Sequence, residues 1–264
     1  MLMTYGTPCD SILLQNMINS ETIDFGNIKS GMEDRLLLER IKNIYRKISS
    51  AAIRSGRDPF AVRLVAVTKT VPVERIKAAV DLGLRILGEN RVQEAQGKIS
   101  DPMLHGSDYN IEWHMIGHLQ KNKAKTAVEL FDLIHSLDSV DLAKVLQKHA
   151  EKAGKVQRIL IEVKLSQEES KHGVTRENLM ELIAAVTGMK NLKLEGLMTI
   201  PPFFDNPEAA RPFFRELREL RDKAEKEEYR LPELSMGMTG DYEAAILEGA
   251  TMVRIGTGIF GERS

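Results

Sequence analysis

Lys69 carries the clearest chemistry in this sequence. It closes the stretch Arg63–Thr70, RLVAVTKT, whose Leu64, Val65, Ala66 and Val67 form an unbroken apolar run. Such a run is the mark of a parallel strand buried on both faces, and Val71-Pro72 stops it. An ammonium at the end of a buried strand is costly unless it is paired or used, and partial desolvation shifts it towards the nucleophilic free amine. One reading is therefore a Schiff-base lysine, and the plainer one is a side chain that snorkels to the surface. Other polar residues fall at comparable positions: Glu89 and Asn90, His114, Ser136, Ser235 and Arg254. Taken singly, His114 reads first as a satisfied core histidine, and Ser136 as a strand-end hydrogen-bonder without chemistry.

Two further stretches, SMGMTGD (235–241) and RIGTGIFG (254–261), are rich in Gly, Ser and Thr. Both can present backbone N–H groups to an anion. Gly256, Gly258 and Gly261 also spell GxGxxG, but no helix is expected to follow, so the pattern fails as a dinucleotide fingerprint. The sequence has no GxxxxGK[ST], HExxH or paired CxxC. Lys121, Lys123 and Lys125 read as a solvated helix face.

The elements that must position these residues alternate regularly. A helix from Glu33 to about Ser55 carries a stripe of Leu36, Leu37, Arg40, Ile41, Ile44 and Ile48. Strands are predicted at 63–70, 85–90, 111–117, 133–138, 157–165, 193–199, 233–238 and 252–257. Between them lie helices over 73–82, 92–99, 121–130, from Asp141, over the set Leu179, Leu182, Ile183 and Val186, over Phe213, Leu217, Leu220 and Ala224, and over 242–247. Eight strand–helix units in about 200 residues predict a single (β/α)8 TIM barrel with an extra N-terminal helix, occupying 32–264. Residues 1–31 show no sustained period beyond a possible short helix at Ser11–Met17. They are expected to form a poorly ordered extension, with Met32 as a candidate start. In barrels the active site lies at the carboxyl ends of the strands, and the loops after strands seven and eight form the recurrent phosphate site.

Composition narrows the class. The 264 residues hold 37 basic and 38 acidic side chains, which excludes the electrostatic footprint of a nucleic-acid or anionic-membrane binder. No apolar run reaches the ~18 residues of a membrane span. The N-terminus lacks a basic segment and Cys9 is the one cysteine, so a cytoplasmic protein is expected. A lysine on strand one and an anion cradle on strands seven and eight together ask for a phosphorylated carbonyl compound. Pyridoxal 5′-phosphate answers that description. Arg254 would face its ring nitrogen or its phosphate. Beside the nitrogen it would leave the pyridine unprotonated, because arginine does not hand over a proton.

VTKT (67–70), GENRVQE (88–94), EWHMIGHLQKNK (112–123), IHSLD (134–138), KHGV (171–174), GLMTI (196–200), SMGM (235–238) and MVRIGTGIFG (252–261) together resemble the pyridoxal phosphate homeostasis protein family, single-domain relatives of alanine racemase. The match spans about residues 33–262. It implies a barrel of the alanine racemase N-terminal-domain type with the cofactor as a Schiff base on Lys69. It further implies Asn90 and Met198 at the ring, and Ser235, Gly237, Arg254, Gly256 and Thr257 around the phosphate and ring nitrogen. No metal and no established catalytic residue go with it. The family usually continues SMGMS with an acidic pair; here Thr239 keeps the hydroxyl and Gly240 and Asp241 follow. The implied function is a carrier or regulator in intracellular cofactor homeostasis, with apo pyridoxal-phosphate enzymes as partners and a monomer or weak dimer as the assembly. The alternative is an amino-acid racemase or other α-carbon enzyme. Racemases draw a second base from an added β-domain, which is not expected here, and nothing in the sequence places Tyr242 in that role. A third class, an aldolase using Lys69, fits the motifs poorly.

Overall fold

A computed structural model of the chain describes residues 31–105, 109–166, 168 and 172–262. The expectations for the N-terminal extension, including the Ser11–Met17 helix, lie outside these residues, apart from Gly31. Eight strands close into one barrel in sequence order: β1 (Arg63–Val67), β2 (Ile86–Glu89), β3 (Glu112–Met115), β4 (Leu133–Leu137), β5 (Gln157–Glu162), β6 (Leu192–Met198), β7 (Glu233–Met238) and β8 (Met252–Ile255). Every neighbouring pair is parallel, and β1 closes the ring against β8 with Val65 opposite Arg254. This is the predicted (β/α)8 barrel.

Alternation along each strand divides the apolar residues into two cores. Val65, Val67, Ile86, Ile116, Leu133, Leu160, Met198 and Met252 meet inside the barrel. A larger cluster, with Leu64, Ala66, Leu87, Ile134, Ile159 and Val253 among its members, packs the strands against the outer helices. Those helices are α1 (Met32–Arg54), α2 (Val73–Asp81), α3 (Val92–Ile99), α4 (Ala124–Leu130), α5 (Val140–Lys152), α6 (Leu179–Thr187), α7 (Arg211–Lys226), α8 (Tyr242–Leu247) and α9 (Thr257–Phe260). Because α9 has four residues, it cannot cover the β8–β1 seam alone. The added helix α1 packs on α8, α9 and α2 and so occupies the place of an eighth outer helix.

Three details differ from the sequence expectation. Leu36 is 51% exposed, and the stripe of α1 runs instead through Leu37, Ile41, Ile44, Ile48 and Ala52. On α7 the deeply buried aromatic is Phe214, while the predicted Phe213 packs at the margin. Periodicity leaves such adjacent apolar pairs undecided, and the neighbouring element chooses. Several strands also end earlier than predicted, so Asn90, Gly117, Gly256 and Thr257 stand just beyond the ladder. A Cβ on Gly117 would lie 2.4 Å from the Asn90 carbonyl oxygen, so the loops after β2 and β3 can touch only with glycine there.

Candidate functional site

At the carboxyl end of the strands a cavity of about 300 Å³ is lined by Lys69, Asn90, Glu162 and Arg254, with His118 and His172 also on its wall. Its apolar wall is Val67, Ile116 and Ile200, which continue into the inner core where Met198 is fully buried. Three of the predicted residues, Lys69, Asn90 and Arg254, therefore share one cavity. Met198 lies in the packing layer that supports it.

Lys69 is held through both of its neighbours. The Thr68 hydroxyl donates to Glu89 Oε1 at 2.6 Å, and the Thr68 carbonyl accepts from Lys98 Nζ at 2.6 Å. On the other side the Thr70 N–H donates to Glu94, and Thr70 takes φ +62°, a left-handed conformation that a β-branched residue adopts only under constraint. Lys98 Nζ completes the cluster with contacts of 2.7 Å to Glu89 and 2.6 Å to Glu94. Burial pushes the Glu89 carboxyl up, against the pull of Lys98 and Thr68. Glu94 also feels burial, but the hydrogen bonds from Lys98 and the Thr70 N–H bring it below the usual carboxylate range. The sequence reading placed Glu89 at a strand end but did not identify Lys98 or Glu94. Lys98 looks like an ordinary surface residue of α3 until the helix is docked.

A second network runs down through the barrel from Arg254. Its Nη2 donates to the Thr199 carbonyl at 2.9 Å and its Nη1 to Ser235 Oγ at 2.6 Å. Ser235 Oγ is 2.9 Å from His135 Nδ1, and His135 Nε2 is 3.0 Å from His114 Nδ1. His114 Nε2 meets Glu112 Oε1 at 2.9 Å, where Arg158 and, through it, Glu195 form an ion cluster at the amino end. The direction of every bond follows from Glu112. Burial would raise its pKa, but His114 and Arg158 lower it to about 2, so it is a carboxylate and can only accept. Burial keeps both histidines below the ordinary imidazole value and hence neutral. His114 therefore carries its proton on Nε2, His135 likewise, and the Ser235 hydroxyl donates to His135 while accepting from Arg254. Burial also brings Arg254 down to about 10, opposed by Glu162 and Asp241, so the guanidinium stays charged at neutral pH.

His114 is thus the satisfied core histidine expected. Ser136, by contrast, is buried with no hydrogen-bond partner for its Oγ among the described residues, a correction to the strand-end role. His135, beside it, is the polar residue that joins the network, and the sequence reading missed it. Strand alternation, which puts His135 on the same face as the inner-core Leu133, was the available signal.

Glycines close the other wall. Gly237 takes φ +92°, and a Cβ there would meet Ala245 Cβ at 2.6 Å, so α8 seats directly on the end of β7. Gly256 passes Val67 closely, with a virtual Cβ 3.3 Å from its carbonyl oxygen. Thr257 opens α9, and its hydroxyl lies 3.3 Å from that of Thr239, joining the loops after β7 and β8. Asp241 places a carboxylate at the start of α8, where it accepts the Met238 N–H at 2.6 Å. Lys121 pairs with Asp141 at 2.8 Å and Lys125 is exposed, as a solvated face requires, while Lys123 lines a neighbouring groove.

Residues 38–264 match the model of the alanine racemase N-terminal domain. A pyridoxal phosphate homeostasis protein of Aquifex aeolicus is 49% identical over 226 residues, covering 85% of this chain and 97% of that one. The chain belongs to the pyridoxal phosphate homeostasis protein family. PipY of Synechococcus elongatus, solved with PLP bound, superposes with a TM-score of 0.75 at 34% identity, covering 85% of this chain and all of PipY. An alanine racemase of Clostridium difficile is similar in fold alone, with a TM-score of 0.67, 15% identity and coverage of 88% of this chain and 57% of the racemase.

Proposed function

We propose that this member of the family binds pyridoxal 5′-phosphate in the cavity, covalently on Lys69, and serves as a carrier and regulator in cofactor homeostasis. The observation behind this reading is the placement of one amine, Lys69, and one buried guanidinium, Arg254, on a single cavity of about 300 Å³. That donor set fits a phosphorylated aldehyde: the amine condenses with the aldehyde with loss of one water, and the cation compensates negative charge. When bound, the cofactor supplies a reversible carbonyl for exchange with amines. Asn90 flanks the ring position, and Met198 supports it from the packing layer beneath. Gly237, Gly256 and Thr257 shape the phosphate end, and Ser235 acts from beneath Arg254. In this reading residues 32–264 form the cofactor-binding unit, which works in the cytoplasm as a monomer or weak dimer and passes its cargo to apo-enzymes. Among the described residues no helix is long and apolar enough to cross a membrane. Tyr242, the candidate second base of a racemase, packs in the outer core, and burial pushes its phenol up.

Borohydride reduction of cofactor-loaded protein followed by peptide mapping tests the attachment. The modification is expected on the peptide holding Lys69 and is expected to vanish in K69A. A K69A protein that keeps the visible chromophore overturns the proposal. Solvent deuterium uptake at the α-carbon of added amino acids separates carrier from enzyme: rapid exchange with retained cofactor would favour the enzyme.

A further inference from the structure

Outside the two buried networks, one cluster of metal-ligating side chains among the described residues stands at the cavity mouth. His118, Asp138 and His172 come from three different loops, those following β3, β4 and β5. One ligand atom from each lies within 4.8 Å of the others. The His118 and His172 rings stack with centroids 3.7 Å apart and planes 12° from parallel, an arrangement that two imidazolium ions would oppose. His118 Nδ1 stands 3.5 Å from Asp138 Oδ2, too far for a strong hydrogen bond between them. The other carboxylate oxygen, Oδ1, accepts the Ser139 hydroxyl at 2.9 Å, which fixes the orientation of the group.

We infer that His118, Asp138 and His172 form a binding site for a divalent first-row transition metal such as zinc. Two imidazoles and one carboxylate are donors such ions select, and three protein ligands leave a fourth position open. Zinc–ligand distances near 2.0–2.1 Å place tetrahedral donors roughly 3.3 Å apart, so metal binding requires the two stacked rings to swing apart until their in-plane lone pairs converge on the ion. A bound ion ties three loops together across part of the cavity mouth. The three ligands are this chain's own side chains, and two of them, His118 and His172, also stand on the cavity wall.

Titration of untagged, cofactor-free full-length protein with Zn²⁺ against a chromophoric chelator tests the site. One zinc per chain is expected, with affinity reduced at least tenfold in each of H118Q, D138N and H172Q. The same affinity is expected in H105A, H149A and C9S, which remove other imidazoles and the single thiol. Circular dichroism of each variant checks that its fold is kept. Co²⁺ added to unaltered protein supplies a second readout, a visible ligand-field spectrum of nitrogen and oxygen coordination that is absent in H118Q. Zinc affinity unchanged in the three site variants, or lost in the controls instead, overturns the inference, as does unaltered protein that binds no zinc.

Discussion

Arg254 Nη1 donates to Ser235 Oγ at 2.6 Å, and the Ser235 proton is thereby committed to His135 rather than to the cavity. A hydroxyl three positions from the end of β7 would otherwise be a natural donor to an anion. Its position beneath the guanidinium instead links the cavity to the ion cluster at the far end of the barrel. The polar chain from Arg254 through His135 and His114 to Glu112 holds one charge in a fixed place within a low-dielectric interior. Arginine offers five donors in a rigid fork, and two are spent on Thr199 and Ser235.

Breaking this chain at its centre is expected to cost stability. H135L removes a donor and an acceptor at once and leaves His114 Nδ1 and the Ser235 hydroxyl proton unpaired in the interior. The loss is about 2–6 kcal/mol, from two desolvated groups at ~1–3 kcal/mol each. Chemical denaturation measures it, and a variant within ~0.5 kcal/mol of the parent contradicts the network. Cofactor titration of the same variant is expected to show weaker binding, because Arg254 loses its support.

R254K keeps the charge but cannot reach both Thr199 and Ser235 in the same fork geometry. Cofactor affinity is expected to fall about tenfold, equivalent to ~1.4 kcal/mol. Equilibrium dialysis with pyridoxal phosphate checks this, and unchanged retention would remove Arg254 from the site.

K98M tests the support of Lys69. The buried carboxylate of Glu89 would lose its partner, for which about 3–5 kcal/mol is the usual penalty. The double variant K98M/E89Q removes the stranded charge and is expected to recover much of that stability. Attachment at Lys69 should remain slow in both, because Thr68 and Thr70 are no longer fixed; single-turnover reduction assays follow it.

Acid is expected to destabilise the fold in two stages. The folded pKa values of His114 and His135 are depressed by burial, so below pH ~6.5 the unfolded chain binds protons that the native state refuses. Stability thus falls with decreasing pH from about 6.5, by up to ~1.4 kcal/mol per pH unit per histidine. Glu112, held near 2 against an ordinary 4.5, contributes stability above pH ~4.5 that is lost as pH falls towards 2. Thermal melts between pH 8 and 4 report the first stage, and H135N should flatten the slope. A melting temperature independent of pH from 7 to 5 would refute neutral buried histidines.

G237A places a Cβ 2.6 Å from Ala245 Cβ at a positive φ. Both strain and overlap act against it, so a loss of at least ~1–3 kcal/mol is expected by denaturation. G240A, where no atom lies within 4 Å of the added carbon, is the matched control and should be nearly neutral.

The sequence by itself determined the barrel, because buried parallel strands announce themselves as continuous apolar runs and each is punctuated by its own helix. It also put Lys69, Asn90 and Arg254 at strand ends, where a barrel builds its cavity. What tertiary structure decided is which side chains meet around that cavity and in the buried networks that support it. Lys98 comes from a helix face, His135 from mid-strand, Glu162 from the end of β5, and His118 and His172 from loops far apart in the chain. Periodicity reports the environment of one residue along its own element, whereas a hydrogen bond such as that between His135 and Ser235, 100 residues apart, exists only once the ring has closed.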